Sequence, residues 1–588
     1  MSLPRSTPSS LPPHPAPGTL LSGAELLVCA LEAEGVEVIF GHPGGAVIKI
    51  YDALATLNPS FQHVLVRHEQ GGTHAAEGYA KATGRVGTVL VTSGPGATNC
   101  VTGIADAYMD SIPLVVFTGQ VPVPAIGNDA FQETDTIGVT RSITKHSFQV
   151  RRVEDLTWMV RAAYTIARTG RPGPVVVDLP KDVLLDQAPF VIPDDTAIRA
   201  RIRGYQPEVS IDPDKIAQAA AMLRQAERPL LYVGGGTLSG HADAELKQLA
   251  HTTGIPVTTT LHGLGAFPED DPLSLGMLGM HGTWYANMAV QHCDLLIAVG
   301  ARFDDRVTGK LEAWAPHAKV IHFDIDQACI SKNVWCDCAI RGHVKDALAA
   351  LLPHTEPLAL TPWREQLAAW REQAPLTVED DDQLRAQTVI RLLRDQTQGD
   401  AVVITDVGQH QMWTAQYFQY VHPRSHITSG GLGTMGFSLP AAMGAAFGLR
   451  AQGVDRPVLS ISGDGGFVMN AQELGVIAKH RLPVKIVVIN NQYLGMVRQW
   501  QELFHDERYS HTDLADTNPD FGKLAEAFGI PAYYAETPTE AQEAIDAAWT
   551  HTDGPVLIEF RVLKEDMVFP MVPAGAATED MITARFED

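Results

Sequence analysis

Two short segments carry side chains suited to holding a divalent cation. Gly463-Asp464-Gly465-Gly466 follows the apolar run Val458-Leu459-Ser460-Ile461-Ser462, and Asn490-Asn491 follows a second run, Val484 to Ile489. Asp464 offers a carboxylate, Asn491 an amide oxygen, and Tyr493, two residues further on, a backbone carbonyl. Mg²⁺ takes oxygen ligands, and proteins hold it with one or two such groups while a diphosphate supplies others. Gly463 and Gly465 let backbone amides approach that diphosphate, with a helix N-terminus behind them. Taken singly, each segment reads as a tight turn after a strand. Together, 27 positions apart and each directly after a buried run, they describe a metal–diphosphate site.

Such segments need strands that bring them to one edge, and three blocks of sequence supply them. Residues 19–185 alternate β-branched runs, such as Val89-Leu90-Val91 and Leu114-Val115-Val116-Phe117, with helical patterns such as Gly23 to Gly35. This block closes on Pro174-Val175-Val176-Val177-Asp178-Leu179-Pro180. Residues 211–352 contain Pro229 to Val233, Leu295 to Val299 and Val320 to Phe323. Residues 383–562 contain Ala401 to Thr405, Val458 to Ser462, Val484 to Ile489 and Val556 to Phe560. Alternating strand-length and helix-length patterns predict an α/β protein of three doubly wound parallel-sheet domains. The first and third blocks match in size and alternation, which predicts a duplicated architecture. Gln187 to Ser210 and Pro353 to Asp382 have no period and read as linkers. The Pro- and Ser-rich stretch 1–18 reads as a disordered tail, and 563–588 as a second tail. Open α/β sheets bind ligands at the carboxyl ends of their strands, and both Asp464 and Asn491 fall there.

Composition limits the partners. The 588 residues include 44 Lys and Arg against 68 Asp and Glu, a formal net charge of −24. A surface this acidic repels nucleic-acid backbones, so a phosphate ligand needs a local metal or aligned amides. Six cysteines in this length make no disulfide framework. Cys336-Asp337-Cys338 lacks a second pair at zinc-site spacing, so reduced thiols in a cytoplasm are expected. The uncharged run Ile427 to Leu449 is full of Gly, Ser and Thr and predicts a glycine-rich loop entering a buried helix, not a membrane span. The N-terminal stretch has no apolar core of signal-peptide length.

From about Gly23 to Ile582 the chain resembles the acetohydroxyacid synthase (acetolactate synthase) large subunits, a thiamin-diphosphate-dependent family. Beyond Asp464 and Asn491, the resemblance rests on several ordered motifs. They are Phe40-Gly41-His42-Pro43-Gly44-Gly45-Ala46, Arg67-His68-Glu69-Gln70-Gly71, Thr92-Ser93-Gly94-Pro95-Gly96-Ala97-Thr98-Asn99, Ala130-Phe131-Gln132-Glu133 and Gly173-Pro174 to Lys181. Gly300-Ala301-Arg302-Phe303-Asp304-Asp305-Arg306, Gly433-Thr434-Met435-Gly436 and Leu494-Gly495-Met496-Val497-Arg498-Gln499-Trp500 complete the set. Glu69 separates the chain from glyoxylate carboligase, which lacks that carboxyl, and the segment Met496 to Trp500 separates it from pyruvate oxidase.

The resemblance implies roles. The first block binds the cofactor's pyrimidine. Glu69 hydrogen-bonds its ring nitrogen, Gln132 assists the chemistry, and Pro95 and Asn99 lie nearby. In the third block Gly433 and Met435 contact the pyrimidine, with Met435 propping the cofactor bent. Gly408, Gln409, His410, Gly463, Asp464, Gly465, Asn491 and Met496 also meet thiamin diphosphate, and Asp464, Asn491 and Tyr493 hold Mg²⁺. His410 taken alone could equally be a core histidine. Phe131, Lys181, Val497 and Trp500 contact substrate, with Lys181 and Arg306 at the entrance and Trp500 favouring 2-ketobutyrate. Met496 and Val497 lie four and three residues before Trp500, so a helix puts all three on one face. The middle block carries FAD on Gly234, Gly235, Thr260, Leu261, Met280, His281, Gly300, Arg302, Asp305, Arg306 and Asp324. Gly342-His343 departs there from the family's usual Gly-Asp. The implied reaction joins pyruvate, after decarboxylation, to a second 2-keto acid on the route to valine, leucine and isoleucine. The implied assembly is a homodimer or homotetramer with a separate regulatory small subunit. In it, Glu69 of one subunit serves cofactor anchored by Asp464 of another, and the 563–588 tail closes over the site.

Overall fold

The computed structural model describes residues 15–202, 204–379 and 381–583. Of the tail expected over 1–18, residues 1–14 lie outside the described residues, and Gly18 N–H donates to the Phe190 carbonyl at 2.9 Å. The chain divides into two compact units. One comprises Met1–Ala80 and Arg85–Tyr205, the other Lys81–Gly84 and Gln206–Asp588.

The first unit is built on a six-stranded sheet whose pairings are all parallel. Across it lie Gln62–Leu65, Val38–His42, Gly87–Val91, Leu114–Gln120, Pro174–Pro180 and His146–Gln149. In chain order this is 2-1-3-4-6-5. Every residue of Leu114–Gln120 and Pro174–Pro180 is buried, as a parallel sheet covered on both faces requires. The first helix, Gly23–Ala33, begins at a capping box in which Ser22 and Glu25 exchange hydrogen bonds, and it buries Leu26, Leu27 and Leu31.

The stretch 187–210, read from sequence as a linker, is more ordered than that. Gln187–Pro189 pairs antiparallel with Leu20–Ser22, and a helix at Asp195–Arg201 is capped by Asp194, which accepts from Ala197 N–H at 2.7 Å. Seven residues span two turns, too few to display a period. The second expected linker likewise contains a helix, Thr361–Gln373, which buries Trp363 and Leu367.

The second unit contains two six-stranded parallel sheets. In the middle one lie Ser274–Met277, Val257–Thr259, Pro229–Val233, Leu295–Val299, Lys319–Asp324 and Cys338–Arg341, which is 3-2-1-4-5-6 in chain order. That is the order of doubly wound dinucleotide-binding folds. In the last sheet lie His426–Ile427, Val402–Thr405, Val458–Gly463, Val484–Asn490, Val556–Arg561 and Ala532–Ala535. Its order is again 2-1-3-4-6-5, so the likeness of the outer blocks extends to strand sequence across the sheet. The glycine-rich run enters the helix Ser438–Gln452, buried from Ser438 to Leu449 as expected. Among the described residues no helix is long and apolar enough to cross a membrane. All six cysteines are free. Cys336 and Cys338 meet different partners, Ser331 Oγ and the Lys215 carbonyl.

Candidate active site

In the last sheet the strands Val458–Gly463 and Val484–Asn490 are hydrogen-bonded neighbours with Gly463 opposite Ile489. Asp464 and Asn491 therefore leave adjacent strands at the same edge, as the sequence predicts. Asp464 is 1% exposed, and its Oδ2 accepts from Asn518 Nδ2 at 2.7 Å. Burial pushes its carboxyl up to about 6, against the Asn518 amide, which favours the charged form. A cation would supply the countercharge that this carboxylate lacks. Asn491 Oδ1 accepts from Tyr493 N–H at 3.1 Å and keeps a second lone pair. Around Tyr493, Leu494 N–H donates to Thr512 and Leu514 N–H to Gln492, so flanking backbone groups hold the Tyr493 carbonyl in place.

Gly408, Gln409 and His410 follow the neighbouring strand Val402–Thr405 and open the helix Gln409–Tyr417. The strands Val402–Thr405 and Val458–Gly463 are the first and third of the 2-1-3-4-6-5 order, so these turns flank the point where the winding reverses. The His410 ring lies against Gly408 and Gly463. A Cβ on either glycine would stand within 3.3 Å of it. Burial lowers the imidazole to about 3, and its Nε2 is buried without a hydrogen-bond partner. A neutral ring with an unsatisfied nitrogen beside a Gly-Asp-Gly turn fits a diphosphate oxygen.

Asp406 has a role that no sequence motif marks. Its buried carboxylate accepts from Val407 N–H at 2.9 Å, from Gly436 N–H at 3.0 Å and from Ser438 N–H at 3.2 Å. A Cβ on Gly466 would stand 2.5 Å from its Oδ1. It thereby pins the loop carrying Gly433 and Met435 against the turn carrying Asp464. Its only sequence signal is its place directly after a buried strand. Met435 is half-buried, and its methyl lies 3.7 Å from where a Gly465 Cβ would stand. Met496, Val497 and Trp500 lie on the helix Gly495–Phe504. Met496 packs on the core, Val497 is 50% exposed, and Trp500 meets Phe504 with ring centroids 5.4 Å apart.

In the first unit Glu69 opens the helix Glu69–Thr83, and Asn99 Nδ2 donates to its Oε2 at 2.9 Å. Pro95 starts the short helix Pro95–Thr98, and Asn99 caps its end. A Cβ on Gly94 would meet the Gln132 backbone at about 3 Å, so the Gln132 loop abuts this turn. Phe131 is 88% exposed beside it, and Lys181 is exposed directly after Pro174–Pro180 at the same sheet edge.

The flavin candidates fall into two groups. Gly234, Gly235, Thr260, Leu261, Gly300, Arg302 and Asp324 stand at the carboxyl ends of four neighbouring strands. Asp324 is buried, with Oδ1 accepting from Asp326 N–H at 2.7 Å. The glycines here serve close packing. Gly234 N–H donates to Val299, Gly236 N–H to Gly300, and a Cβ on Gly300 would stand 2.7 Å from Gly236. Those two N–H groups are thus committed to the neighbouring strand end rather than aimed at a phosphate. Met280, His281, Asp305 and Arg306 instead meet the C-terminal segment. Met280 N–H donates to Arg306, Val572 N–H donates to Met280, and His281 Nδ1 lies 3.4 Å from the Pro570 carbonyl. Met280, Asp305, Arg306, Val572 and Pro573 line a cavity of ≈ 130 Å³. The buried Asp324 carboxyl at a strand end and the 3-2-1-4-5-6 order suit a dinucleotide.

Three parallel sheets, with Asp464 and Asn491 at adjacent strand ends of one outer sheet and the buried Glu69 carboxyl on the other, define a three-domain thiamin-diphosphate enzyme. Family models agree. Residues 21–139 match the N-terminal TPP binding domain of thiamine pyrophosphate enzymes, 216–351 their central domain and 406–560 their C-terminal TPP binding domain. The chain is 50% identical over 576 residues to the acetolactate synthase large subunit of Parasynechococcus marenigrum, covering 96% of this chain and 91% of that one. It is 48% identical over 569 residues to the acetolactate synthase isozyme 2 large subunit of Escherichia coli, covering 96% and 99%. To acetolactate synthase 2, chloroplastic, of Nicotiana tabacum it is 48% identical over 584 residues, covering 97% and 86%. The chain belongs to the acetolactate synthase large-subunit family of thiamin-diphosphate enzymes.

Proposed function

We propose that this enzyme decarboxylates pyruvate and joins the remaining two-carbon unit to a second 2-keto acid. Pyruvate as acceptor yields 2-acetolactate and 2-ketobutyrate yields 2-aceto-2-hydroxybutyrate, which feed valine, leucine and isoleucine synthesis. The observation that carries the reading is the buried Asp464 beside Asn491 on adjacent strand ends, with His410 Nε2 unsatisfied next to them.

When bound, thiamin diphosphate supplies the electron sink for the carbon left by decarboxylation. Asp464, Asn491 and the Tyr493 carbonyl hold Mg²⁺, and the Gly463–Gly465 turn and His410 receive the diphosphate. Met435 supports the cofactor's fold, backed by the loop that Asp406 fixes. Glu69, steadied by Asn99, would hold and exchange a proton at the pyrimidine ring nitrogen, with Gln132 and Pro95 as further contacts from the same unit. Phe131 and Lys181 on the first unit and Val497 and Trp500 on the second are each substrate contacts. An indole contact with one extra methylene favours 2-ketobutyrate by about 1–3 kcal/mol. Because joining two keto acids with loss of carbon dioxide involves no net redox change, FAD on the middle sheet has a structural role.

The Glu69 half-site of one copy faces the Asp464 half-site of another, so a homodimer is the smallest active form. Relatives bear the name "large subunit", which supports a separate regulatory small subunit, and six free cysteines support a cytoplasmic setting. The test is a product assay on purified protein with pyruvate and 2-ketobutyrate, leaving out thiamin diphosphate, Mg²⁺ and FAD in turn. Both acetohydroxy acids are expected with the full set. Absence of any carbon–carbon product refutes the reading.

A further inference from the structure

Behind Asn491 runs a chain of three buried side-chain amides that ends on backbone. Asn491 Nδ2 donates to Gln409 Oε1 at 3.1 Å. Gln409 Nε2 donates to Gln499 Oε1 at 2.9 Å and to the Asp566 carbonyl at 3.0 Å. Gln499 Oε1 accepts from Val568 N–H at 2.9 Å, while its Nε2 donates to the Val568 carbonyl at 3.1 Å. Asn491, Gln409 and Gln499 are 7%, 4% and 0% exposed.

An amide side chain has two orientations that differ only in which end donates. A backbone N–H can only donate and a backbone carbonyl can only accept. Val568 therefore fixes Gln499 with its oxygen toward Gln409, and Asp566 independently fixes Gln409 with its nitrogen toward Gln499. What Gln409 then presents to Asn491 is an acceptor. Turning Asn491 over would set its oxygen against that acceptor and its NH₂ against Tyr493 N–H, leaving two buried clashes. The side chain is thus locked with its nitrogen toward Gln409 and its carbonyl oxygen turned away from it.

We propose that Gln499 is a positioning residue for the metal. Jointly with the Asp566 carbonyl it sets the polarity of Gln409, which sets Asn491, with the backbone of residues 566–568 as the reference. This rests on the assignment of Asp464 and Asn491 as Mg²⁺ ligands. Gly495 reports on the same chain from its other side. A Cβ there would stand 2.1 Å from Gln409 Oε1 and 2.6 Å from Asn491 Nδ2. Any side chain at 495 therefore wedges the Gln409–Asn491 bond apart.

The experiment measures Mn²⁺ binding by electron paramagnetic resonance, in full-length protein stripped of metal and saturated with thiamin diphosphate. Gln499→Leu, Gly495→Ala and Asp464→Asn are compared with the parent, and metal-free melting serves as the fold check. Groups that orient a metal ligand typically control affinity by about 10- to 100-fold. Gln499→Leu and Gly495→Ala are expected to weaken Mn²⁺ by that factor, with kcat recovering at correspondingly higher Mg²⁺. A merely structural defect would not be rescued by metal. A folded Gln499→Leu protein with Mn²⁺ affinity within twofold of the parent, while Asp464→Asn has lost it, overturns the relay alone. Should Gln499→Leu not fold, unchanged affinity in Gly495→Ala overturns it instead. Undiminished affinity in Asp464→Asn removes the metal assignment, and the relay with it.

Discussion

Asn99 holds Glu69. The two are 30 residues apart, yet the Asn99 amide donates to Glu69 Oε2 at 2.9 Å, and a Cβ on Gly96 would come within 3.5 Å of Oε1. One carboxylate oxygen is thus engaged by a neutral donor, and the carboxyl as a whole is fixed at a helix start.

Glu69→Gln keeps the shape of this pair but removes the exchangeable acid. General acid–base groups contribute about 10²- to 10⁴-fold, so acetolactate formation should fall by at least about 100-fold. Metal-free melting should be unchanged. Unimpaired product formation by the variant would remove Glu69 from its role.

Asp406→Ala strands three backbone donors, the half-buried Val407 and the buried Gly436 and Ser438. Each unsatisfied donor costs about 1–3 kcal/mol. A loss of about 3 kcal/mol or more in denaturant unfolding is expected, with weaker thiamin diphosphate binding because Met435 rides on the freed loop. Calorimetric titration of the cofactor against both proteins checks the second half. Equal affinities would mean that the loop keeps its place unaided.

Asp178 should leave a pH signature. It is fully buried, accepts from Thr118 Oγ1 at 2.8 Å and from Gln120 and Gln149 Nε2 at 3.1 Å, and burial pushes its carboxyl from 3.8 up to about 6. With the folded value above the unfolded one, the folded state binds more protons between about pH 4 and 6. The stability it contributes is present below that window and is lost as pH rises through about 6. Asp178→Asn cannot titrate. Its stability relative to the parent should therefore rise by about 3 kcal/mol from pH 4 to pH 7, at 1.36 kcal/mol per unit. Urea unfolding of both proteins across that range measures it, and parallel curves would place the folded pKa near its unfolded value.

Gly300 has φ +59°, and a Cβ there would press on Gly236 at 2.7 Å. Left-handed backbone costs an ordinary residue roughly 1–2 kcal/mol, and overpacking roughly 1–3 more. Gly300→Ala should destabilise the second unit by about 2–5 kcal/mol and release flavin, seen as lost flavin absorbance in the purified protein. Full flavin retention with unchanged melting would place the flavin elsewhere.

Local pattern alone determined the α/β class, the three blocks, most of the long strands and the Asp464 and Asn491 turns. Strands such as Val458–Gly463 and Val484–Asn490 are continuous apolar runs because parallel sheets are covered on both faces, and their ends are marked by glycine and asparagine. The short strands Val257–Thr259, Ser274–Met277 and His426–Ile427 left no such mark, since two to four residues carry no period. Strand order across each sheet, and with it the 2-1-3-4-6-5 order shared by the outer sheets, came only from the tertiary structure, because pairing joins segments far apart in the chain. The same holds for Asp406 and for the amides of Gln409 and Gln499. Their types are common and their spacing uninformative, and what they do is decided by which backbone groups the folded chain delivers to them.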